Sequence, residues 1–184
     1  MESVYQQIYG VHARHLNFNG VEPKPVLVVF SAIPGSGKSE LTKRLVASYG
    51  FFRLANKDIR HALETTGHAD DVAIGEYTLW FLNEVTRDKS LSIVFDRNID
   101  QWYEPSKSWA SANGYRYVLI RIDVDRKALQ QRLLKREGDG ASHVLDVMDF
   151  YAQQHDAVTN RIKPDLLLEG DYDLDEAAQR IAAY

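Results

Sequence analysis

Short apolar runs alternate with longer stretches of helical period along the chain, and this alternation predicts βαβ units around a parallel sheet. The apolar runs predict five strands, at residues 26–30, 51–55, 92–95, 115–122 and 166–168. The first run, VLVVF, is apolar without interruption, as expected of a strand that helices cover on both faces. It therefore predicts the central strand of the sheet.

Between the strands, apolar positions recur three and four residues apart, which is the period of an α-helix. The predicted helices are residues 38–49, 58–65, 70–88, 104–113, 126–136, 143–160 and 174–184. Gly50 and Gly114 follow two of them, where glycine commonly ends a helix. These elements predict a three-layer α/β fold, a five-stranded parallel sheet with helices on both faces. Residues 1–24 predict an N-terminal helical arm, with residues 25–184 as one domain.

Composition agrees with one domain and excludes several kinds of chemistry. The 184 residues suit a single domain, and the absence of cysteine excludes disulfides, zinc ribbons and thiol nucleophiles. No apolar run approaches the roughly 20 residues of a membrane span, and the N-terminal sequence lacks the apolar core of a secretory signal. We therefore expect a cytoplasmic protein with no membrane partner, while its oligomeric state stays open. The six histidines show no metal-ligand spacing, so we expect no structural metal.

Charge is unevenly distributed along the sequence. The net charge of −4 argues against general binding to nucleic acid, which needs a basic face. Residues 115–136, however, contain seven basic and two acidic residues, a local charge of +5. Residues 164–184 contain six acidic residues and one basic residue, a local charge of −5. The basic segment predicts a local site for a polyanion, and the alternative is a solvated helix face.

The clearest chemical signal lies where the first strand meets the helix that follows it. Residues 32–39 read AIPGSGKS and match the phosphate-binding pattern G-x-x-x-x-G-K-[ST], except that Ala32 replaces the first glycine. Glycines let successive backbone N–H groups point into one concavity, and the helix adds its positive N-terminal end. Lys38 would reach the β- and γ-phosphates of ATP, and the Ser39 hydroxyl would bind Mg²⁺. The predicted nucleotide-binding residues are Pro34, Gly35, Ser36, Gly37, Lys38 and Ser39.

With this loop, a single-domain length and an arginine pair late in the chain, the sequence resembles the small P-loop kinases of the polynucleotide kinase, zeta toxin and adenylylsulfate kinase neighbourhood. The resemblance covers about residues 26–168. It implies the P-loop NTPase fold, ATP and Mg²⁺ as cofactors, and phosphoryl transfer to a hydroxyl acceptor. Residues 56–58, NKD, faintly resemble the guanine-reading N-K-x-D element but lack its spacer, so we reject a GTPase.

In those kinases an acidic residue just after the second strand activates the acceptor, and a nearby arginine holds it. The resemblance therefore makes Asp58 the general base and Arg60 a substrate-binding residue. The family spacing is D-x-x-R, whereas Arg60 follows Asp58 by two residues. If Arg60 is the true counterpart, Lys57 takes the place of the acid. The alternative role of Asp58 is the N-cap of the predicted helix.

The third predicted strand runs into Asp96 and Arg97 at the carboxyl edge of the sheet, where ligands bind in open α/β folds. Asp96 is predicted to hold Mg²⁺, or to act as the base as in deoxynucleoside and thymidylate kinases, whose motif also pairs an acid with arginine. That resemblance makes Arg97 a substrate-binding residue. The alternative for Asp96 is a strand-end turn with local hydrogen bonds.

Arg132 and Arg136 stand four residues apart on a predicted helix and so project from one face. In small P-loop kinases two arginines at this spacing lie in the lid, so the resemblance makes them catalytic residues that stabilise charge on the transferred phosphoryl group. Gly138 and Gly140 would then let the lid close. The alternative is a solvated basic helix.

These residues together predict ATP-dependent phosphoryl transfer to the hydroxyl of a small molecule or to a polynucleotide 5′-hydroxyl end. The predicted catalytic residues are Lys38, Asp58, Asp96, Arg132 and Arg136. Two alternatives stay open, a nucleoside or nucleotide kinase and a non-kinase ATP-binding regulatory module with weak ATPase activity. The sequence does not choose the acceptor.

Overall fold

Five parallel strands form one sheet in the computed structural model of the chain, which describes residues 2–13, 24–70, 72–87, 91–137 and 141–184. The strands are β1 (Val26–Ala32), β2 (Phe52–Ala55), β3 (Ile93–Asn98), β4 (Arg116–Asp123) and β5 (Leu166–Glu169). They lie in the order β2-β3-β1-β4-β5, and every hydrogen-bonded pair is parallel. The central position of β1, predicted from its uninterrupted apolar sequence, is confirmed.

Eight helices lie in the described part of the chain and surround this sheet. They are α1 (Glu2–His12), α2 (Lys38–Tyr49), α3 (Asn56–Thr66), α4 (Ile74–Thr86), α5 (Tyr103–Ala112), α6 (Arg126–Glu137), α7 (Ala141–Thr159) and α8 (Leu174–Ala182). Among these helices, none is both long enough and apolar enough to cross a membrane. The predicted three-layer α/β fold is confirmed.

The two faces of β1 carry separate hydrophobic cores, because successive strand residues point to opposite sides. Leu27 and Val29 pack into a core built with α1, α3, α4 and α5. Val26, Val28 and Phe30 pack into the opposite core, built with α2 and α8. All seven residues of β1 are buried, so the strand is covered on both faces.

Helix α1 contributes directly to the first of these cores. Tyr5 and Ile8 are buried against the aromatic side chains of α4. The ring of Tyr5 lies 5.9 Å from that of Tyr77, and His12 Nδ1 lies 3.1 Å from the Tyr77 hydroxyl. Residues 14–23 of the predicted arm lie outside the described residues.

Two element boundaries near the carboxyl edge differ from the prediction. Helix α3 begins at Asn56 rather than at residue 58, because β2 ends at Ala55 and that extended residue is the N-cap. The alternative role of Asp58 as the N-cap is therefore wrong. Strand β3 continues past Phe95 to Asn98, because Asp96 pairs with Ala55 of β2 and Asn98 pairs with Phe30 of β1.

The extension of β3 is irregular. Val28 of β1 is opposite Val94 of β3, but Phe30 is opposite Asn98, so four residues of β3 advance against two of β1. Such bulge-like insertions bend a strand and redirect its side chains, and they often lie beside functional sites. Here the irregular stretch contains Asp96 and Arg97.

Candidate active site

The loop that joins β1 to α2 adopts a conformation that only glycine suits at two positions. Gly35 and Gly37 have φ angles of 87° and 91°, in the left-handed region. A Cβ on Gly35 would lie 3.2 Å from Leu133 Cγ, and a Cβ on Gly37 would lie 3.1 Å from the Tyr172 hydroxyl. Ala32 still belongs to β1, and no described non-glycine residue has a positive φ, so the substituted first position of the motif needs no glycine.

Polar groups in this loop are left without partners inside the described chain. The backbone amides of Gly37, Lys38 and Ser39 donate to no backbone acceptor there, and the Ser36 hydroxyl is buried without a hydrogen bond. Helix α2 begins at Lys38, so the positive end of its dipole points at the same place. Free amides at a helix N-terminus form an anion site, and this loop therefore fits phosphate groups.

Asp96 is the electrostatic centre of the site. Its Oδ1 lies 2.9 Å from Lys38 Nζ and accepts a hydrogen bond of 3.0 Å from the Ser39 hydroxyl. Burial of this side chain, which is 3% exposed, would raise the pKa of Asp96, but the charges of Lys38 and Arg53 outweigh burial and lower it. Asp96 is thus a carboxylate, and with Ser39 it presents two adjacent hard oxygen ligands that fit Mg²⁺.

Arg53 of β2 joins the two predicted acids, and the sequence analysis did not identify it. Its Nε donates to Asp96 Oδ2 at 2.9 Å, and Nη2 contacts the same oxygen. Its Nη1 donates to Asp58 Oδ2 at 3.2 Å. The one available signal was a charged residue inside the otherwise apolar segment FFRLA. The guanidinium holds both carboxylates in one ion-pair cluster.

A cavity of about 690 Å³ opens from the loop along the carboxyl edge of the sheet. Its P-loop half is formed by residues 32–40 with Arg132 and Leu133. The other lining residues, which we call the distal half, are Asn56, Lys57, Arg60, Arg97, Asn98, Gln101, Tyr151 and Gln154. Because β2 is two strands from β1, the start of α3 lies roughly 10 Å across the sheet from the P-loop. The cavity is therefore long enough to have two distinct ends.

Around the start of α3, the side chains that line the cavity differ from the prediction for the base. Asn56, Lys57 and Arg60 line it, whereas Asp58 does not and instead faces Arg53. Lys57 therefore occupies the cavity side of this turn, as the D-x-x-R spacing indicated. The role of Asp58 as a base stays a prediction.

Arg97 faces the distal half of the cavity. Its guanidinium carbon lies 4.8 Å from the centre of the Trp102 ring. Its Nε and Nη1 are buried and have no hydrogen-bond partner in the described residues. Burial lowers the pKa of Arg97, because the charged form loses its hydration.

Helix α6 lies directly over the P-loop, as a lid would. Leu129 and Leu133 are buried against Met148 of α7 and against Ile33 of the loop. Arg132 Nη1 donates to the carbonyl of Gly35 at 3.3 Å, and the same guanidinium forms an ion pair with Asp171. The side chain of Arg136 and the predicted hinge glycines Gly138 and Gly140 lie outside the described residues.

The basic segment 115–136 does not gather its described arginines into one groove. Each contacts a different partner: Arg116 the carbonyl and ring of Tyr184, Arg121 Asp123, Arg126 Asp149, and Arg132 Asp171. Three of these four partners are carboxylates. Three of the seven basic residues of the segment are therefore paired with separate carboxylates.

The three tryptophans belong mainly to the packing of the helices on the sheet. Trp109 is buried, and its indole N–H donates to Asn83 Oδ1 at 2.8 Å. Trp80 and Trp102 are partly buried against the same core. Trp102 also supports Arg97 and in this way reaches the edge of the cavity.

The sequence matches no protein-family model and no curated protein. The fold, however, is similar to several solved structures. An APS kinase from Mycobacterium tuberculosis, solved in complex with AMPPNP and APS, is 20% identical with a TM-score of 0.53, covering 88% of this chain and 97% of its own. A shikimate kinase from Bacteroides thetaiotaomicron is 16% identical with a TM-score of 0.55, covering 86% and 96%. An uncharacterized protein from Eubacterium ventriosum is 15% identical with a TM-score of 0.59, covering 88% and 98%.

The chain therefore has the fold of the P-loop kinases, as the resemblance implied. At these identities the similarity establishes the fold alone. What the site does has to be argued from its own residues.

Proposed function

We propose that the protein transfers the γ-phosphoryl group of ATP to a hydroxyl group of a second substrate. The observation that carries this proposal is the two-ended cavity. One end presents the free loop amides with Lys38, Ser39 and Asp96, and the other end is lined by different polar side chains. A protein that only bound a nucleotide would need the first end alone.

The P-loop half suits the phosphates of ATP. The free amides and Lys38 would hold the phosphate oxygens, while Ser39 and Asp96 would hold Mg²⁺. When bound, magnesium and ATP supply the transferable phosphoryl group and neutralise charge on its oxygens. Arg132 already lies over the loop and would add positive charge from the lid side, with Arg136 as its proposed partner.

The second substrate would react largely because the protein holds its hydroxyl group close to the γ-phosphorus of ATP. Its hydroxyl oxygen forms a bond to the γ-phosphorus, the bond from that phosphorus to the bridging oxygen breaks, ADP leaves, and the hydroxyl proton passes to a carboxylate. Asp96 is engaged with Lys38 and Ser39, so we assign the proton to Asp58. Asp58 lies outside the cavity lining and pairs with Arg53, so it would have to exchange this contact for one with the hydroxyl group. Phosphoryl transfer depends mainly on positioning and electrostatics, so a base beside the cavity contributes less than the P-loop does.

The proposal is tested by following ADP release from ATP with a panel of sugars, sugar acids, sugar phosphates, nucleosides, nucleotides and 5′-hydroxyl oligonucleotides. We expect at least one compound to stimulate ADP release, and Lys38→Ala to abolish that stimulation. Lys43→Ala is the matched control, because Lys43 is an exposed lysine of the same helix and pairs with Glu40. Stimulated ADP release that survives in Lys38→Ala would refute the assignment.

A nucleotide-binding regulatory module is the second candidate, and one observation favours it. Lys57 lines the cavity where the family motif has its acid, and Asp58 is held aside by Arg53. Such a module would bind ATP tightly but release ADP at one slow rate with every compound of the panel. The same panel therefore separates the two candidates.

A further inference from the structure

Arg97 is a partly buried arginine with no counterion among the residues that the structure describes. The other partly buried arginines of the described chain, Arg53 and Arg121, each face a carboxylate. Arg97 has no ion pair there, and two of its nitrogen atoms are buried without a hydrogen-bond acceptor. Buried charged donors without partners are destabilising unless a ligand satisfies them. The position of Arg97 on the cavity wall indicates where that ligand would lie.

The Arg97 guanidinium is held in place before any ligand arrives. It stacks on Trp102, whose ring lies 6.4 Å from that of Phe95. Helix α4 approaches the same indole so closely that a Cβ on Gly75 would lie 3.2 Å from Trp102 Nε1. A stacked guanidinium keeps its N–H edge in one orientation, which suits bidentate binding of a carboxylate or a phosphate.

The surroundings of Arg97 increase the positive charge of the distal half. Lys57 and Arg60 line it, and neither forms an ion pair with a described residue. Asp58 and Asp96, the two acids that the sequence predicted for the site, are both engaged with Arg53. The distal half thus presents three cations and no carboxylate among its lining residues.

Two buried oxygen atoms in the same half also lack partners. Asn56 Oδ1 and Gln154 Oε1 are buried and accept no hydrogen bond from any described group. Amide oxygens accept hydrogen bonds, so they complement hydroxyl groups rather than anions. The distal half therefore matches a molecule that has both an anionic group and hydroxyl groups.

We propose that the acceptor is a hydroxylated small molecule that carries its own anionic group, a phosphate or a carboxylate, and that Arg97 binds this group with Lys57 and Arg60. The amide oxygens of Asn56 and Gln154 would accept hydrogen bonds from its hydroxyl groups. The proposal rests on the proposed function, because it identifies the acceptor of that reaction by class. The anionic group stays unchanged, while one hydroxyl oxygen gains the phosphoryl group.

Binding is tested first, without turnover. The full chain is saturated with AMPPNP and Mg²⁺ to occupy the P-loop, and then titrated with matched compounds: glucose, gluconate and glucose 6-phosphate, and adenosine with AMP. Tryptophan fluorescence reports on the distal half, because Trp102 contacts Arg97. We expect the anionic members to bind at least tenfold more tightly than the neutral ones. The gluconate and glucose 6-phosphate arms separate carboxylate from phosphate as the preferred anion.

Variants then connect the preference with Arg97. Arg97→Met should weaken anion binding by roughly tenfold to a hundredfold, the range for losing hydrogen bonds to a charged group. Arg97→Lys keeps the positive charge but loses the two parallel N–H donors of the guanidinium, so the loss of anion affinity should be smaller than in Arg97→Met. It also tests the site if Arg97→Met folds poorly. Arg116→Met is the matched control, because Arg116 stacks on Tyr184 at the amino end of β4, far from the cavity.

The outcomes separate this proposal from the proposed function. Binding that prefers anions and depends on Arg97 would support the anion site. If no compound stimulated ADP release, phosphoryl transfer would be refuted, but the anion site would still stand on the binding result. Equal binding of neutral and anionic members would overturn the anion site, and so would anion binding unchanged in Arg97→Met. Absence of binding by every anionic member would overturn it as well.

Discussion

The two halves of the cavity differ in how their positive charges are balanced. In the P-loop half, Lys38 faces Asp96 and Arg132 faces Asp171. In the distal half, Lys57, Arg60 and Arg97 form no ion pair with any part of the chain that the structure describes. Described carboxylates of the protein pair with the cations of the P-loop half, whereas no described carboxylate pairs with the cations of the distal half.

This difference indicates two modes of ligand binding. A nucleotide entering the P-loop half has to compete with Asp96 for Lys38, so binding there rearranges existing ion pairs. A ligand entering the distal half meets an arginine already oriented by Trp102 and gains contacts without breaking any described ion pair. Preorganised groups of this kind favour tight binding, because little conformational entropy is lost when the ligand binds.

Removing the carboxylate at the centre of the P-loop half should have the largest effect on the difference between the two halves of the cavity. Asp96→Asn takes away the proposed Mg²⁺ ligand and leaves Lys38 and Arg53 without their shared counterion. We expect kcat/KM to fall by about a thousandfold, the upper range for loss of one charge-stabilising group. Asp175→Asn, which removes a surface carboxylate paired with Arg44, is the control. An Asp96→Asn variant that kept a tenth of the activity would contradict the role of Asp96.

Arg53→Met tests whether the link between the two acids matters. Arg53 helps to lower the pKa of Asp96, so its loss raises that pKa and moves the acid limb of the activity profile to higher pH. We also expect kcat to fall by tenfold or more. The free energy of unfolding should fall by about 2 kcal/mol, which is typical for the loss of hydrogen bonds to charged groups.

Arg121→Met is the matched control for Arg53, because it removes another partly buried arginine that pairs with an acid. It should change stability without moving the acid limb of the profile. An unchanged acid limb in Arg53→Met would show that Arg53 serves packing alone.

Gly37→Ala tests whether ATP binding in the P-loop half can be weakened without affecting the distal half. The new Cβ would occupy a left-handed backbone position 3.1 Å from the Tyr172 hydroxyl, so the loop amides have to move. We expect ATP to bind about tenfold more weakly, with anion binding in the distal half unchanged. Backbone strain in the left-handed region costs about 1 kcal/mol or more.

Gly67→Ala separates that strain from the effect on the phosphate site. Gly67 has a φ of 74° at the end of α3, with no atom within 4 Å of the position of a new Cβ. The two variants should lose similar stability, but only Gly37→Ala should lose affinity for ATP. Equal loss of ATP affinity in both would contradict the proposed geometry of the loop.

The smallest effect is expected from His155 of α7, the helix that supplies Tyr151 and Gln154 to the distal half. His155 Nε2 lies 3.1 Å from Asp123 Oδ1, and Nδ1 lies 3.7 Å from Asp100 Oδ2 and 2.9 Å from the Ser31 hydroxyl. Burial alone would lower the pKa of His155, but these two carboxylates outweigh burial and raise it.

The raised pKa of His155 determines the direction in which the stability of the fold changes with pH. The folded state binds this proton more tightly than the unfolded state, so the stabilisation is fully present below about pH 6.5 and is lost as the pH rises through the folded pKa. We expect the free energy of unfolding to decline over that range in the parent protein and to decline less in His155→Gln. Parallel pH curves for the two proteins would contradict the ion-pair assignment.

The P-loop half was largely predictable because its chemistry is contiguous in sequence. The eight residues AIPGSGKS contain the glycines, the lysine and the serine in one stretch, and the preceding apolar run locates them at the end of a strand. Asp96 was also predictable, from an acid that ends an apolar run. Its partner Arg53 was not, because the contact depends on β2 lying beside β3 with Ala55 opposite Asp96.

The distal half was harder to predict because it depends on helix phase and on tertiary contacts. Helix α3 begins at Asn56 rather than at residue 58, so Lys57 and Asp58 both lie in its first turn, about 100° apart around the helix axis. This separation lets Lys57 face the cavity while Asp58 faces Arg53, and which of them does so depends on how the helix packs on the sheet. The lack of a counterion for Arg97 among the described residues is likewise invisible in the sequence, since it depends on the tertiary positions of acids such as Asp58 and Asp96, which pair with Arg53.

The central claim is that the cavity joins a nucleotide to an acceptor and that the protein moves a phosphoryl group between them. The most direct measurement incubates the protein with ATP labelled in the γ-phosphate and the best anionic acceptor, then separates the products. We predict that the label is recovered in the acceptor, that Lys43→Ala gives the same result and that Lys38→Ala gives none. Recovery of the label only as inorganic phosphate, at a rate that no acceptor changes, would contradict the account.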